Sequence, residues 1–318
     1  MEKNFTAERI ETRKKGKLTA LAKSVRKNWL LLLMLLPGII WCLVFRYGPM
    51  YGALIAFQKY HVGDSILGGN WAGLYWFKKI FVHPQFKQLL INTLSISILQ
   101  IIFCFPIPVL FALLLNEVRN AKLKKVVQTV SYLPHFISLV AVCSILSLLL
   151  NPSSGIINRI INFFGFESIY FMGSTTWYRP VYIISQIWQT FGFSSIIYIS
   201  ALSAVPQELY EAASVDGASR FRQMLTISLP SIMPTVIIML ILESGKLLSV
   251  GYEKTLLLQN SANNAVADII STFSYRVGLS QGMYSFGTAV DLFTGVINCL
   301  MIFAVNQISK RVSETSLW

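Results

Sequence analysis

The stretch PQELYEAASVDGASRFRQMLTISLP, residues 206–230, decides how the rest of the chain is read. Pro206 suits the first turn of a helix, where its missing N–H would be unpaired in any residue. Glu208 then places negative charge near the positive end of the helix dipole. A helix is therefore predicted from Pro206 to Asp216. Gly217 supplies the backbone freedom that a turn needs, and residues 218–228 are predicted to form a second short helix, with Pro230 ahead of the next apolar run. Small Ala212 and Ala213 allow close approach of another surface, while Glu211 and Asp216 offer carboxylates to basic partners.

On both sides of this segment the sequence turns apolar. A helix crossing the hydrocarbon core of a bilayer needs roughly 20 predominantly apolar residues. Six such runs stand between charged or Pro/Gly-rich breaks, at 29–45, 89–115, 126–150, 181–205, 232–250 and 288–308. The 206–230 segment lies between the fourth and the fifth. Composition agrees: the 318 residues are 54% hydrophobic and 13% charged, whereas an average soluble domain carries roughly 25% charged residues. That is too little charge to cover the core so many apolar residues would build, and the expected fold is an all-α integral membrane protein with six transmembrane helices. The net charge of +13 is spread along the connections without a continuous basic stripe, so no nucleic-acid partner is expected.

The distribution of Lys and Arg orients the spans. The segments 1–28, 116–125, 206–230 and 309–318 carry 17 in 73 residues, against 9 in the 110 residues of 46–88, 151–180 and 251–287. The positive-inside rule then puts both termini and the 206–230 loop in the cytoplasm. The chain divides into a basic N-terminal segment, 1–28, a six-span domain, 29–308, and a short tail, 309–318. Phe45-Arg46-Tyr47-Gly48 offers no small-x-small cleavage site, so the first run reads as an uncleaved span. Residues 71–88 interleave aromatic and basic residues as a helix at headgroup level does. The basic cluster Arg13-Lys14-Lys15-Gly16-Lys17 is most simply an orientation signal, and also suits contact with anionic lipid. Cys42, Cys104, Cys143 and Cys299 all lie in apolar segments and read as packing residues.

Glu211-Ala212-Ala213, three residues, Gly217, nine residues, Ile227, one residue and Leu229-Pro230 together resemble the EAA loop of ATP-binding-cassette (ABC) importer permeases at all seven fixed positions. Other stretches are similar to the sugar permeases of that family, especially those handling oligosaccharides in Gram-positive bacteria. They are Phe45 to Gly52 with Ala56-Phe57, Trp71 to Leu74 with Phe77, Asn92-Thr93-Leu94, and Leu133 to Ser138. The resemblance runs from about residue 30 to the end. It implies the type I importer fold in a bacterial plasma membrane, a second related permease, two ATPase subunits, an external solute-binding lipoprotein and an oligosaccharide as solute. It also implies that the loop is a coupling helix held on the ATPase through Glu208, Glu211, Ala212, Ala213, Asp216, Gly217, Leu229 and Pro230, with Phe221 as an apolar anchor. The chain has no G-x-x-x-x-G-K-[ST] phosphate loop. Mg-ATP is accordingly expected on the partner ATPases, with no cofactor, metal or catalytic constellation on this chain.

A sugar exchanges its water shell for hydrogen bonds and stacks on aromatic rings, so polar residues inside spans are the candidate solute path. Gln186 and Gln189 with Trp188 and Ser194 fall in the fourth run, Glu243 and Lys246 in the fifth, and Asp291 and Asn298 in the sixth. Asn92 and Gln100 in the second run are lesser candidates. Interhelical hydrogen bonding, and for Glu243 and Lys246 a structural ion pair, are the competing roles. An importer for glycerol phosphate or an amino acid is the nearer functional rival. An ion-coupled secondary transporter using Glu243, Lys246 and Asp291 is the more distant one, and leaves the loop unexplained. The external connections hold nine Lys/Arg against Asp64, Glu167, Glu253 and Asp268, a balance that leans toward an acidic glycan.

Overall fold

A computed structural model describes residues 27–66, 69–313 and 316–317; most of the basic N-terminal segment and part of the tail lie outside these. Among the described residues the regular elements are helices, with one isolated antiparallel bridge between Gln58 and Trp71. The chain divides into two units, Met1–Leu54 and Ile55–Trp318.

The described part of the first unit begins with the apolar helix Trp29–Cys42 and continues through a widened turn, Leu43–Tyr47, into Gly48–Met50. Every residue from Trp29 to Met50 is exposed. So much uncovered Leu, Ile and Trp is stable only in a solvent as apolar as the side chains.

Four helices are long and apolar enough to cross a membrane: Trp29–Phe57, Phe86–Asn116, Arg220–Ser244 and Tyr284–Arg311. The pair Ala121–Phe136 and Leu139–Leu149 makes a fifth if it counts as one span, but it is bent by 96°. The third apolar run is therefore not straight. Pro134 sits in a tight turn, Leu133–Phe136, Ile137 is extended, and the Ser138 side chain accepts from the N–H of Ala141 to start a new helix. The fourth run is divided between Tyr178–Ser194 and Ile196–Ser203, of 17 and 8 residues, each short of a spanning length. The expected headgroup-level helix is confined to Tyr75–Val82 and ends where Pro84 disfavours a helical His83.

Three prolines share one device. Pro49, Pro106 and Pro230 each stand two residues after a widened five-residue turn, Leu43–Tyr47, Gln100–Cys104 and Met224–Ser228. Before each proline the preceding N–H reaches five residues back, as Phe105 does to the Gln100 carbonyl at 3.0 Å. Widening the turn lets a helix pass a residue that lacks a donor and crowds the preceding turn. This corrects one expectation: residues 218–228 are not a separate helix, and Pro230 does not interrupt Arg220–Ser244.

Three apolar clusters hold the second unit together along the helix Phe86–Asn116. One gathers Leu89, Ile270, Phe273 and Phe286, the next Ile96, Tyr182, Val250 and Leu258, and the last Ala112, Leu113, Tyr198 and Ile232. Between the first two, Asn92 ties the short elements around Asp268 to the long helix. Its amide donates to the carbonyls of Ala265 and Asp268, at 3.0 and 2.9 Å, and its oxygen accepts from Arg179 at 3.2 Å.

Candidate functional site

The helix Arg220–Ser244 carries a candidate site at each end. At its start, Gln207–Val215 forms a nine-residue helix, Gly217 takes the left-handed conformation at φ +74°, and the Ser219 side chain caps Arg220 onward. The two pieces are tied together. Tyr210 Oη and Ser228 Oγ are 2.9 Å apart, and Gln223 Nε2 donates to Ser214 Oγ and to the Ala218 carbonyl, both at 3.0 Å. Arg220 donates to the Glu117 carbonyl at 3.3 Å. Glu208, Glu211, Ala212, Asp216, Gly217 and Pro230 are exposed, and Ala213 and Leu229 half-buried. Leu209, Val215 and Phe221 are uncovered as well, Val215 at 88% and Phe221 at 67%. The result is a braced face mixing carboxylates with unpartnered apolar side chains.

At the other end the helix stops at Ser244, and Glu243 and Lys246 pair at 3.0 Å across the turn that follows. Asn298 holds the next residues: its oxygen accepts from the Leu248 N–H at 2.9 Å and its amide donates to Ser249 Oγ at 2.6 Å. Gly251, at φ +56°, then starts the short helix Tyr252–Leu258. A Cβ on Gly251 would lie 1.6 Å from Tyr182 Oη, so only glycine lets this helix sit against Tyr178–Ser194. Lys254 is thereby carried into the interior, at 2% exposure. Its Nζ donates to the Tyr182 carbonyl and to Gln186 Oε1, both at 3.1 Å.

Between these elements lies an open cavity of about 530 Å³ whose polar lining comes from Ser97, Gln100, His135, Gln186, Gln189, Thr190, Glu243, Lys246 and Lys254, beside apolar groups such as Ile101, Leu139, Val250 and the Tyr182 ring. A second cavity, of about 710 Å³, adds Phe193, Ser194, Tyr198 and Ser200, and shares Gln100, Gln186, Thr190, Glu243 and Lys246 with the first. The two cavities adjoin through these shared residues, and each is within the size range of small-ligand sites. Amides, hydroxyls and one ion pair beside Tyr182, Tyr252 and the stacked His135 and Phe193 rings, 3.8 Å apart, suit a molecule with many hydroxyls and weakly polar faces.

Of the candidate path residues, Gln186, Glu243 and Lys246 line both cavities, Gln189 the first alone and Ser194 the second alone. Trp188 lies elsewhere, in an apolar groove with Val142, Ile145 and Leu149. It is two residues from Gln186, which puts it on the far side of the helix. Asp291 lines a separate cavity with Ser274, Tyr275 and Tyr284, and Asn298 holds backbone, as does Asn92. Sequence reasoning missed Lys254, assigning it to an external connection. The lysine's place within Tyr-Glu-Lys-Thr-Leu-Leu-Leu was the available signal.

A family model, binding-protein-dependent transport system inner membrane component, matches residues 104–314. The chain belongs to this family. It is therefore the membrane component of a transport system and not an enzyme. The polygalacturonan/rhamnogalacturonan transport system permease protein YteP of Bacillus subtilis is 44% identical to this permease over 306 residues, 96% of this chain and 95% of that protein. Among solved structures, a bacterial ABC transporter involved in the import of the acidic polysaccharide alginate aligns with a TM-score of 0.85 at 40% identity, over 92% of this permease and 99% of that chain. The alginate transporter in complex with alginate pentasaccharide-bound periplasmic protein aligns equally, at 0.85 and 39% identity, over 93% and 99%.

Proposed function

We propose that this permease is one of two related membrane subunits of an ATP-driven importer for oligosaccharides. An external binding protein delivers the solute, and two ATPase subunits holding Mg-ATP are gripped through residues 206–230. Six crossings of a bacterial plasma membrane, with Ala121–Leu149 as one bent span and Tyr178–Ser203 as another, place both termini and the loop on the cytoplasmic side. The relatives support the solute class: one is named for polygalacturonan and rhamnogalacturonan, and another is an importer of alginate crystallised with a pentasaccharide-bound periplasmic protein.

One observation carries the mechanism. A single helix, Arg220–Ser244, begins in the braced, uncovered loop and ends at Glu243 in the polar cavity, about 36 Å apart at 1.5 Å per residue. Closure of the ATPase dimer on nucleotide moves Gln207–Val215, the side-chain ties to Ser228 and Gln223 pass that motion to the helix, and the helix end reshapes the cavity. Glu208, Glu211 and Asp216 pair with basic residues of the ATPase while Val215 and Phe221 fill its apolar recesses. The mixed face suits such a dock, because apolar anchors supply affinity and charge fixes register.

The test is purification of the tagged chain in mild detergent and reconstitution in vesicles with oligosaccharide-loaded binding protein. A second permease and an ATPase co-purifying, with uptake that needs ATP, is the expected result. A lone chain that transports on an ion gradient would refute it.

A further inference from the structure

Lys254 is 2% exposed, and the groups its ammonium touches are all neutral: the Tyr182 carbonyl, the Gln186 amide oxygen and the Tyr182 ring, 4.7 Å from Nζ to its centroid. Among the described residues no carboxylate lies within 4.0 Å of it. Of the acids lining the same cavity, Glu243 is occupied by Lys246 and Glu253 is exposed. A buried ammonium without a counter-ion is costly, and natural proteins pair such charges. A structural staple between helices would need only a neutral donor. Here an ammonium whose charged form burial disfavours is nonetheless held, through two hydrogen bonds to neutral oxygens, at the wall of a cavity large enough for a sugar, and one of those bonds is to the side-chain amide of Gln186.

We propose that Lys254 reads the carboxylate of a uronate residue, so that the cavity prefers acidic over neutral oligosaccharides. This rests on the importer reading and names the feature of the solute that the permease recognises. On binding, the uronate carboxylate replaces Gln186 Oε1 at Nζ, and the freed Gln186 amide turns to a sugar hydroxyl. The new contact joins opposite charges, which makes it stronger than the ammonium–amide bond it replaces. The Tyr182 carbonyl and ring stay in place and aim the ammonium.

The test uses the assembled importer, this permease with its partner permease and ATPases, in lipid nanodiscs without binding protein or nucleotide. Trigalacturonate and its carboxyl-reduced, neutral counterpart are titrated by saturation-transfer NMR. The wild type should bind the acid more tightly. Lys254→Met should weaken the acid by about 10- to 100-fold while changing the neutral trimer less than threefold, and Lys254→Arg should keep the preference. Gln186→Glu, nearly isosteric, supplies an internal counter-ion and should weaken the acid selectively as well. It carries the test if the methionine variant does not assemble. Equal loss for both trimers, unchanged acid binding in either variant, or no wild-type preference would overturn the proposal while leaving the importer reading intact. A wild type that binds neither trimer and shows no ATP-driven uptake would overturn both.

Discussion

Two glycines of similar backbone conformation offer a test of how the cavity wall is held. Gly217 and Gly251 both lie in the left-handed region, at φ +74° and +56°. A Cβ on Gly217 would meet nothing within 4 Å, whereas on Gly251 it would lie 1.6 Å from Tyr182 Oη and 2.9 Å from Cζ. Gly217→Ala therefore costs only the left-handed penalty, about 1–2 kcal/mol. Gly251→Ala carries the same penalty plus overpacking of about 1–3 kcal/mol, because the added Cβ would collide with the fully buried Tyr182. The assay is thermal unfolding of the purified complex, read by size-exclusion of a fluorescent fusion, alongside ATP-driven uptake. Gly251→Ala should unfold at the lower temperature and lose more uptake, since displacing Tyr182 also displaces the carbonyl that Lys254 grips. Adding Tyr182→Phe removes the clashing oxygen and should restore much of the difference, a non-additivity expected of groups in contact. Equal destabilisation by the two alanines, or no rescue by phenylalanine, would refute the packing argument.

Other expectations concern the loop, the ion pair and a histidine. Glu211→Lys and Phe221→Ala should reduce co-purifying ATPase and ATP-driven uptake at least tenfold, while the permease remains in the membrane at near-normal level; unchanged uptake in both would remove the loop from the coupling path. Because Glu243 and Lys246 are 39% and 67% exposed, Glu243→Gln should lower stability by no more than about 1 kcal/mol yet alter solute affinity, measured by titration. His83 packs on Phe273 at 4.8 Å, and burial, with Lys79 and Arg276 nearby, lowers its pKa below the ordinary 6.5. The folded state therefore disfavours protonation. Stability should be fully present above pH 6.5, fall as pH drops from there through the lower folded value, and lose that part of its pH dependence in His83→Gln, as unfolding temperature against pH would report.

Long apolar helices were legible from sequence because a bilayer demands unbroken hydropathy, and Phe86–Asn116 and Tyr284–Ser313 lie within a few residues of their expected bounds. The loop's first helix and turn were legible because their signals are local: a proline start and a glycine turn. The bend at Pro134 was not, since a proline can be absorbed, as at Pro106, or can break the helix, and the residues around Pro134 do not say which. Gly192 brings Tyr178–Ser194 so close to Ala121–Tyr132 that a Cβ there would lie 2.1 Å from the Ser131 carbonyl oxygen. Lys254 escaped because its partners, Tyr182 and Gln186, lie 72 and 68 residues away, beyond any periodicity argument. Trp188 was misplaced by proximity in sequence, where helical phase points it away from the glutamines.

The widened turn before Pro230 has a consequence for how the transmitting helix tolerates changes in length. Such a turn holds one residue more than the same stretch of regular helix, and the extra residue is absorbed locally instead of being passed on as rotation. Removing one residue between Met224 and Ser228 should close the bulge and shift the strain onto Pro230 as a kink, while Glu243 keeps its bearing on the cavity. Removing one residue from the regular stretch 235–240 would instead swing Glu243 by about 100°, out of the polar space and toward lipid. Insertions and deletions along this helix are therefore far from equivalent, and the bulge marks where its length can change while its azimuth is kept.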